Sequence, residues 1–341
     1  MVSHCSVPMP VFVTMVVMAL SLFCLHSAEA QIGVCYGRNG NNLPSEQQVV
    51  NLYKSKGIGF MRLYDPDQSA LQALQGSGIQ LLLDVPNDQL QNIANNPSQA
   101  NQWVQNNVAP FASSIRYIAV GNEVQDPNKP FVLPAMQNIQ NAINAANLGG
   151  KIKVSTAINS AFVANTVPPS NSVFGDTSFM SPIVNFQKSN GSPLLVNIYP
   201  YFSYTGDEKD IQLNYALFTA PGTVVTDNGN GLQYQNLFDA LVDSVYAALA
   251  KAGGSNIPIV VSESGWPSDS GDSATVSNAG TYYRNLINHV KNGTPRKPGR
   301  LETYLFAMFD ENQKPGAATE QHFGLFTPNQ QPKYGQLNFG S

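Results

Sequence analysis

Three apolar runs end in ionisable residues: Ile118-Ala-Val-Gly-Asn122-Glu123, Val261-Ser-Glu263-Ser-Gly-Trp266 and Met308-Phe-Asp-Glu311-Asn-Gln-Lys314. In the first two, a lone glutamate stands just past the apolar stretch, beside small residues that let a ligand approach. Two carboxylates over one pocket, with no metal ligands or nucleophile triad, suit glycoside hydrolysis. One carboxyl lends a proton to the leaving oxygen while the other stays ionised. One carboxylate at a strand end is more often a structural hydrogen-bonder; a pair at two such ends points to catalysis. Glu123 and Glu263 are 140 positions apart, so only a fold that gathers strand ends can bring them together.

Other chemistries lack their residues. Past position 30 the only histidines are His289 and His322, far apart and in no ligand spacing, so no zinc site is expected. Cys35 is then the one cysteine and sits in an apolar run, where a buried packing role is expected. No Ser-His-Asp or Cys-His signature, P-loop or G-x-G-x-x-G turn occurs. A formal charge of −4 argues against nucleic acid as partner. Charged residues make up only 12% of the chain while Asn occurs 35 times, so neutral amides carry much of the polarity. Amides hydrogen-bond neutral hydroxyls well, which fits a carbohydrate ligand.

The elements that must position these groups are legible as alternating patterns. β-Branched apolar runs recur at 32–36, 60–64, 79–85, 115–120, 152–158, 194–199, 257–261 and 303–309. Helical spacing lies between them at 46–56, 69–74, 99–111, 134–147, 179–188, 236–251 and 274–291. Continuous rather than alternating apolar strands belong to parallel sheets covered on both faces. Eight such units without a linker predict one α/β domain, a (β/α)8 TIM barrel, with reactive groups at the carboxyl ends of the strands. The alternative is a doubly wound sheet. The irregular stretch 206–235, with Asp227-Asn-Gly-Asn-Gly, is expected to be a small loop subdomain on the barrel.

The motifs place the chain beside a known family. Ile259-Val-Val-Ser-Glu-Ser-Gly-Trp-Pro-Ser268 resembles the signature of plant glycoside hydrolase family 17, the endo-1,3-β-glucanases and their 1,3-1,4-β-glucanase relatives. Ile32-Gly-Val-Cys-Tyr-Gly37, Val120-Gly-Asn-Glu-Val124, Val196-Asn-Ile-Tyr-Pro-Tyr-Phe202 and Phe309-Asp-Glu-Asn-Gln-Lys-Pro-Gly316 agree in order, with Glu320 and Gly324-Leu-Phe326 following. The resemblance implies Glu263 as nucleophile and Glu123 as proton donor and acid/base in a retaining hydrolase, which needs no cofactor or metal. Retention needs carboxyl groups about 5–5.5 Å apart. It further implies that Asn122 holds the sugar 2-hydroxyl and that Glu311, Lys314 and Glu320 form a charged cluster steadying the catalytic carboxylates. Aromatic rings stack on pyranose faces, and Tyr36 and Tyr199, at the ends of the first and sixth runs, are expected to line the cleft; Phe202 and Trp266 are weaker candidates. The implied substrate is a 1,3-β-glucan polysaccharide such as callose, laminarin or fungal wall glucan, in plant defence or wall remodelling. Two rivals stay open: a 1,3-1,4-β-glucanase sharing both glutamates, and a glucan-binding protein of little catalytic power.

Residues 11–25 form an apolar run followed by Ala28-Glu29-Ala30, small residues where a signal peptidase inspects the chain. Residues 1–30 are therefore expected to be a signal peptide and 31–341 the catalytic domain. Cleavage also removes Cys5 and Cys24, so no internal disulfide is expected. Sequons at Asn190 and Asn292 are glycosylation candidates, whereas Asn96 is followed by Pro. The family's vacuolar members often carry a removable carboxyl-terminal extension. Ending at Asn338-Phe-Gly-Ser341, this chain is expected to be exported to the cell wall space rather than the vacuole. It is expected to act as a monomer, with no membrane anchor after cleavage.

Overall fold

The structure is a computed structural model that describes residues 32–339; the expected signal segment lies outside them. Eight parallel strands close in the order β1-β12-β11-β8-β5-β4-β3-β2. They are β1 (Ile32–Tyr36), β2 (Phe60–Leu63), β3 (Gln80–Val85), β4 (Ile115–Asn122), β5 (Lys153–Asn159), β8 (Leu194–Asn197), β11 (Ile259–Ser264) and β12 (Thr303–Leu305). This is the (β/α)8 barrel the alternation predicts, and each of the eight apolar runs supplies one of its strands.

The runs read as continuously apolar because both faces are buried, but period 2 sorts them into two cores. Val34, Met61, Leu63, Leu81, Leu83, Ile118, Val120, Val196 and Val261 face the helices in one large cluster. Cys35, Leu82, Tyr117, Ala119, Leu195 and Val260 form the barrel interior with Tyr304, Phe306 and Phe323. On the interior phase of β2, β3 and β8 stand Arg62, Asp84 and Asn197, all buried, so charge and amide replace hydrocarbon toward the carboxyl ends of the strands.

The helices begin where side-chain caps are available. Asp67, Asp176, Asn236 and Thr275 each accept a backbone N–H of the first turn of the helices Gln68–Leu74, Thr177–Asn190, Leu237–Lys251 and Val276–His289. Several expected boundaries shift, the helix expected at 134–147 among them: it runs Lys129–Ala145 with Pro134 inside it. The helix expected from Gln99 begins at Pro97, in the first helical position where its missing N–H is harmless, and is preceded by Leu90–Asn95. The run expected to reach Phe309 leaves the ladder after Leu305, and Phe309 instead bridges Phe326. Between β8 and the helix Leu237–Lys251 the chain forms two short helices, Pro200–Gly206 and Leu213–Ala216, and a hairpin of β9 (Val225–Thr226) and β10 (Gln233–Tyr234). A second hairpin, β6 (Val163–Ala164) with β7 (Val173–Phe174), follows β5 and has no counterpart in the sequence reading.

Candidate active site

Both glutamates emerge where the sheet breaks register. The β4–β5 pairing shifts between Ala119 and Asn122, and the β8–β11 pairing shifts between Val261 and Glu263. Such irregularities re-aim side chains at strand ends. In β4 the break is made by Gly121, in the left-handed region at φ 81°, where a Cβ would strike the Val124 side chain at 2.6 Å. Glu123 follows at φ 50°, an uncommon conformation for a residue with a side chain, held by its N–H donating to the Ala157 carbonyl at 2.8 Å. The extra residue at each break turns Glu123 and Glu263 into one cleft of about 730 Å³.

Glu263 is surrounded by donors. Its Oε1 accepts from the Arg62 guanidinium at 2.9 Å and from the Tyr64 hydroxyl at 2.7 Å, and its Oε2 accepts from the Tyr199 hydroxyl at 2.7 Å. Arg62 is 0% exposed and also holds Asp84 through two bonds of 3.2 and 2.7 Å. Burial beside the negative Glu263 pushes both phenols well above their ordinary range, so they remain neutral donors. This shell gives the carboxylate three hydrogen-bond donors.

Glu123 is held differently. Asn197 Nδ2 donates to its Oε1 at 2.6 Å and Asn159 Nδ2 to its Oε2 at 2.9 Å. Burial, reinforced by the charge of Glu263, raises its carboxyl above the usual glutamate value, although the two amides and Arg62 pull the other way. The net shift favours the protonated form of Glu123. The Oδ1 of Asn122 accepts from Arg62 at 3.0 Å and from Asn197 at 3.0 Å, which leaves its amide N–H groups for a ligand.

The remaining expected residues divide. Glu311, Lys314 and Glu320 all border the cleft. Glu311 accepts the Asn39 N–H at 2.8 Å, and Gly37 is what lets it in: a Cβ there would lie 2.2 Å from the Glu311 carboxylate. Burial raises the Glu311 carboxyl despite Lys314. Lys314 pairs with Glu320 at 3.2 Å and covers the Phe306 ring, so the cation against Glu263 is Arg62 rather than Lys314. Tyr36 borders the cleft but lies on the helix-facing phase of β1 at 2% exposure, its hydroxyl donated to Glu46; it has little ring face to offer a sugar. Tyr199 reaches the cleft by its hydroxyl and packs its ring among Phe202, Phe306 and Phe323. Phe202, 45% exposed, presents the open aromatic surface. Trp266 is 0% exposed, packed between Tyr201 and Tyr282 with its indole N–H donated to the Ser273 carbonyl, and takes no part in the cleft.

Cys35 is buried in the barrel interior beneath the cleft residues and is free, as expected of a packing residue. Asn292 is exposed, whereas the Asn190 amide donates to the Phe186 carbonyl at 2.8 Å. Among the described residues no His/Cys/Asp/Glu group could hold a metal ion, and no helix is long and apolar enough to cross a membrane.

Arg62, Tyr64, Asp84, Asn159 and Asn197 were missing from the sequence reading. The available signal was polarity at the barrel-facing phase of apolar runs: Arg62 in Phe60–Leu63 and Asp84 in Gln80–Val85 are charges that a buried strand does not carry without purpose. The amides gave no such signal.

Residues 32–339 match the family model described as Glycosyl hydrolases family 17. A glucan endo-1,3-beta-glucosidase of Vitis vinifera is 61% identical over 317 residues, covering 90% of this chain and 91% of its own. A basic vacuolar isoform from Nicotiana tabacum is 52% identical over 98% of this chain and 92% of its own. Among solved structures, one of two plant beta-glucan endohydrolases with distinct substrate specificities superposes with a TM-score of 0.86 at 48% identity, covering 90% of this chain and 99% of that one. CJP38, a beta-1,3-glucanase and allergen of Cryptomeria japonica pollen, gives 0.87 at 46% identity, with 91% and 99% covered.

Proposed function

The chain belongs to glycosyl hydrolase family 17 and is a glycosidase, and from that premise we propose that it is an endo-hydrolase of 1,3-β-glucan acting with retention of configuration. The observation that carries the reading is the contrast between the two carboxylates. Glu263, ringed by Arg62, Tyr64 and Tyr199, is the anionic nucleophile; Glu123, buried and facing that negative charge, is the proton donor. Glu123 protonates the glycosidic oxygen as Glu263 attacks the anomeric carbon, giving a glycosyl-enzyme and a free chain end. Glu123, now a base, takes a proton from water that hydrolyses the ester and regenerates Glu263. Asn122 offers its N–H groups to the 2-hydroxyl, and Phe202 supports a ring further along the cleft. Residues 1–30 fit a cleaved signal and export to the wall space, with callose or fungal glucan as the polymer met there.

The test is hydrolysis of laminarin, with NMR of the first-formed anomer and Glu263→Gln alongside. β-Anomer release and collapse of turnover in the variant are expected. Wild-type turnover in Glu263→Gln, or an α-anomer as first product, would overturn the assignment. Faster hydrolysis of mixed-linkage cereal glucan than of laminarin would move the specificity to the 1,3-1,4 class.

A further inference from the structure

The two amides on Glu123 are not interchangeable with water, because their orientations are fixed from behind. Asn159 closes β5, and its Oδ1 accepts the Ala161 N–H at 3.1 Å, so its Nδ2 must face Glu123. Asn197 is fixed likewise: its Oδ1 takes Arg62 at 3.2 Å and the Ser262 hydroxyl at 2.8 Å. Each oxygen of Glu123 therefore meets an N–H that can donate and cannot accept. Asn197 is shared with Asn122 and Arg62, whereas among the described contacts the Asn159 Nδ2 serves Glu123 alone. The other groups acting on Glu123 are the negative Glu263 on β11 and Arg62 on β2, with the Tyr199 hydroxyl beyond β8 nearby.

We propose that Asn159 is a positioning residue that sets the proton affinity of Glu123, favouring the carboxylate needed when water attacks the glycosyl-enzyme. The inference rests on Glu123 being the acid/base. In the free enzyme the charge of Glu263 opposes Asn159 and keeps the proton on Glu123. Once Glu263 is esterified that charge is gone, and the fixed N–H of Asn159 favours the base form. Asn159 thus biases one carboxyl toward its second task without obstructing its first.

The experiment compares laminarin pH profiles of wild type, Asn159→Ala and Asn159→Asp. The aspartate variant keeps an oxygen to cap Ala161 but loses the donor and adds negative charge. Loss of an N–H donor disfavours the carboxylate, so the alkaline limb of kcat/KM, where Glu123 loses its proton, should move upward. About 0.5–1 pH unit is expected in the alanine variant and more in the aspartate variant. Both should lower kcat more than they raise KM. Profiles superimposable on wild type, with activity lost in proportion at every pH, would reduce Asn159 to a turn cap and overturn the proposal. Glu123→Gln run alongside separates the two readings: undiminished laminarin turnover there would refute Glu123 as acid/base, whatever Asn159 does.

Discussion

Arg62 carries the strongest test of how the site is built. Its guanidinium makes six donor contacts: two to Asp84 and one each to Asn197, the Ser262 carbonyl, Glu263 and Asn122. Arg62→Lys keeps the charge but has three N–H groups on one nitrogen, so at least three contacts must go. A point donor cannot hold Asp84 and Glu263 from two sides, as the planar fork does. Asp84 is less exposed than Glu263 and takes two of the six bonds, so the ammonium should settle there and release Glu263 and Asn122. Losing one preorganised charge-assisted bond at the reacting carboxylate costs about 3–4 kcal/mol of transition-state stabilisation, a fall in kcat/KM of about 10²–10³-fold. Because the charge is retained, the stability loss should stay below the about 3–5 kcal/mol typical of a broken buried pair. Reducing-end release from laminarin gives the first quantity and urea unfolding the second. A lysine variant within fivefold of wild-type kcat/KM would refute the claim that fork geometry, rather than positive charge, positions Glu263.

Phe202→Ala should raise KM for laminarin severalfold with kcat near wild type, since Phe202 is exposed in the cleft; Trp266→Phe should leave KM alone and cost about 1–3 kcal/mol in urea unfolding through lost packing and the lost bond to Ser273. Gly37→Ala should push the Glu311 carboxylate off the Asn39 N–H and lower kcat/KM at least tenfold; an unchanged value would deny Glu311 any part in shaping the cleft. Burial raises Asp84 and Asp243 to about 6, and Glu302 in the same direction. The native state then binds more protons than the unfolded chain between about pH 4 and 6, so this stability is full below the unfolded values and lost as pH rises through about 6. The urea midpoint should be higher at pH 5 than at pH 7, and the reverse order would contradict these shifts. Asp67, lowered to about 2, acts in the opposite sense only at more acid pH.

The barrel and both glutamates were legible because each depends on local pattern: strands buried on both faces leave continuous apolar runs, and a carboxylate just past one marks a strand end. Arg62 and Asp84 were present in that same pattern as charges in apolar runs, but their meaning depends on which phase faces the barrel axis, and closure alone reveals it. The same phase explains Tyr36, which borders the cleft as expected but turns its ring toward the helices. Trp266 stands three residues from Glu263 yet packs outward, because the register break at Glu263 reassigns the positions after it. Asn159 was hidden by composition: among 35 Asn, an amide that touches Glu123 looks like any turn or cap, and Asn197, though inside a family motif, carried no sign of its partner.

Cys35 offers a way to watch the whole assembly. It is the only thiol among the described residues, completely enclosed at the centre of the barrel with its S–H toward the Ser262 carbonyl, one residue before Glu263. Burial raises its proton affinity, so neither a thiolate nor a path for reagent exists while the strands stay paired. In a chain beginning at Gln31, which lacks Cys5 and Cys24, an aromatic disulfide reagent will therefore react only in molecules whose barrel has come apart, and the colour it releases counts opening events. Added laminari-oligosaccharide should slow that count in proportion to its occupancy of the cleft, giving an affinity for variants too inactive to assay by turnover.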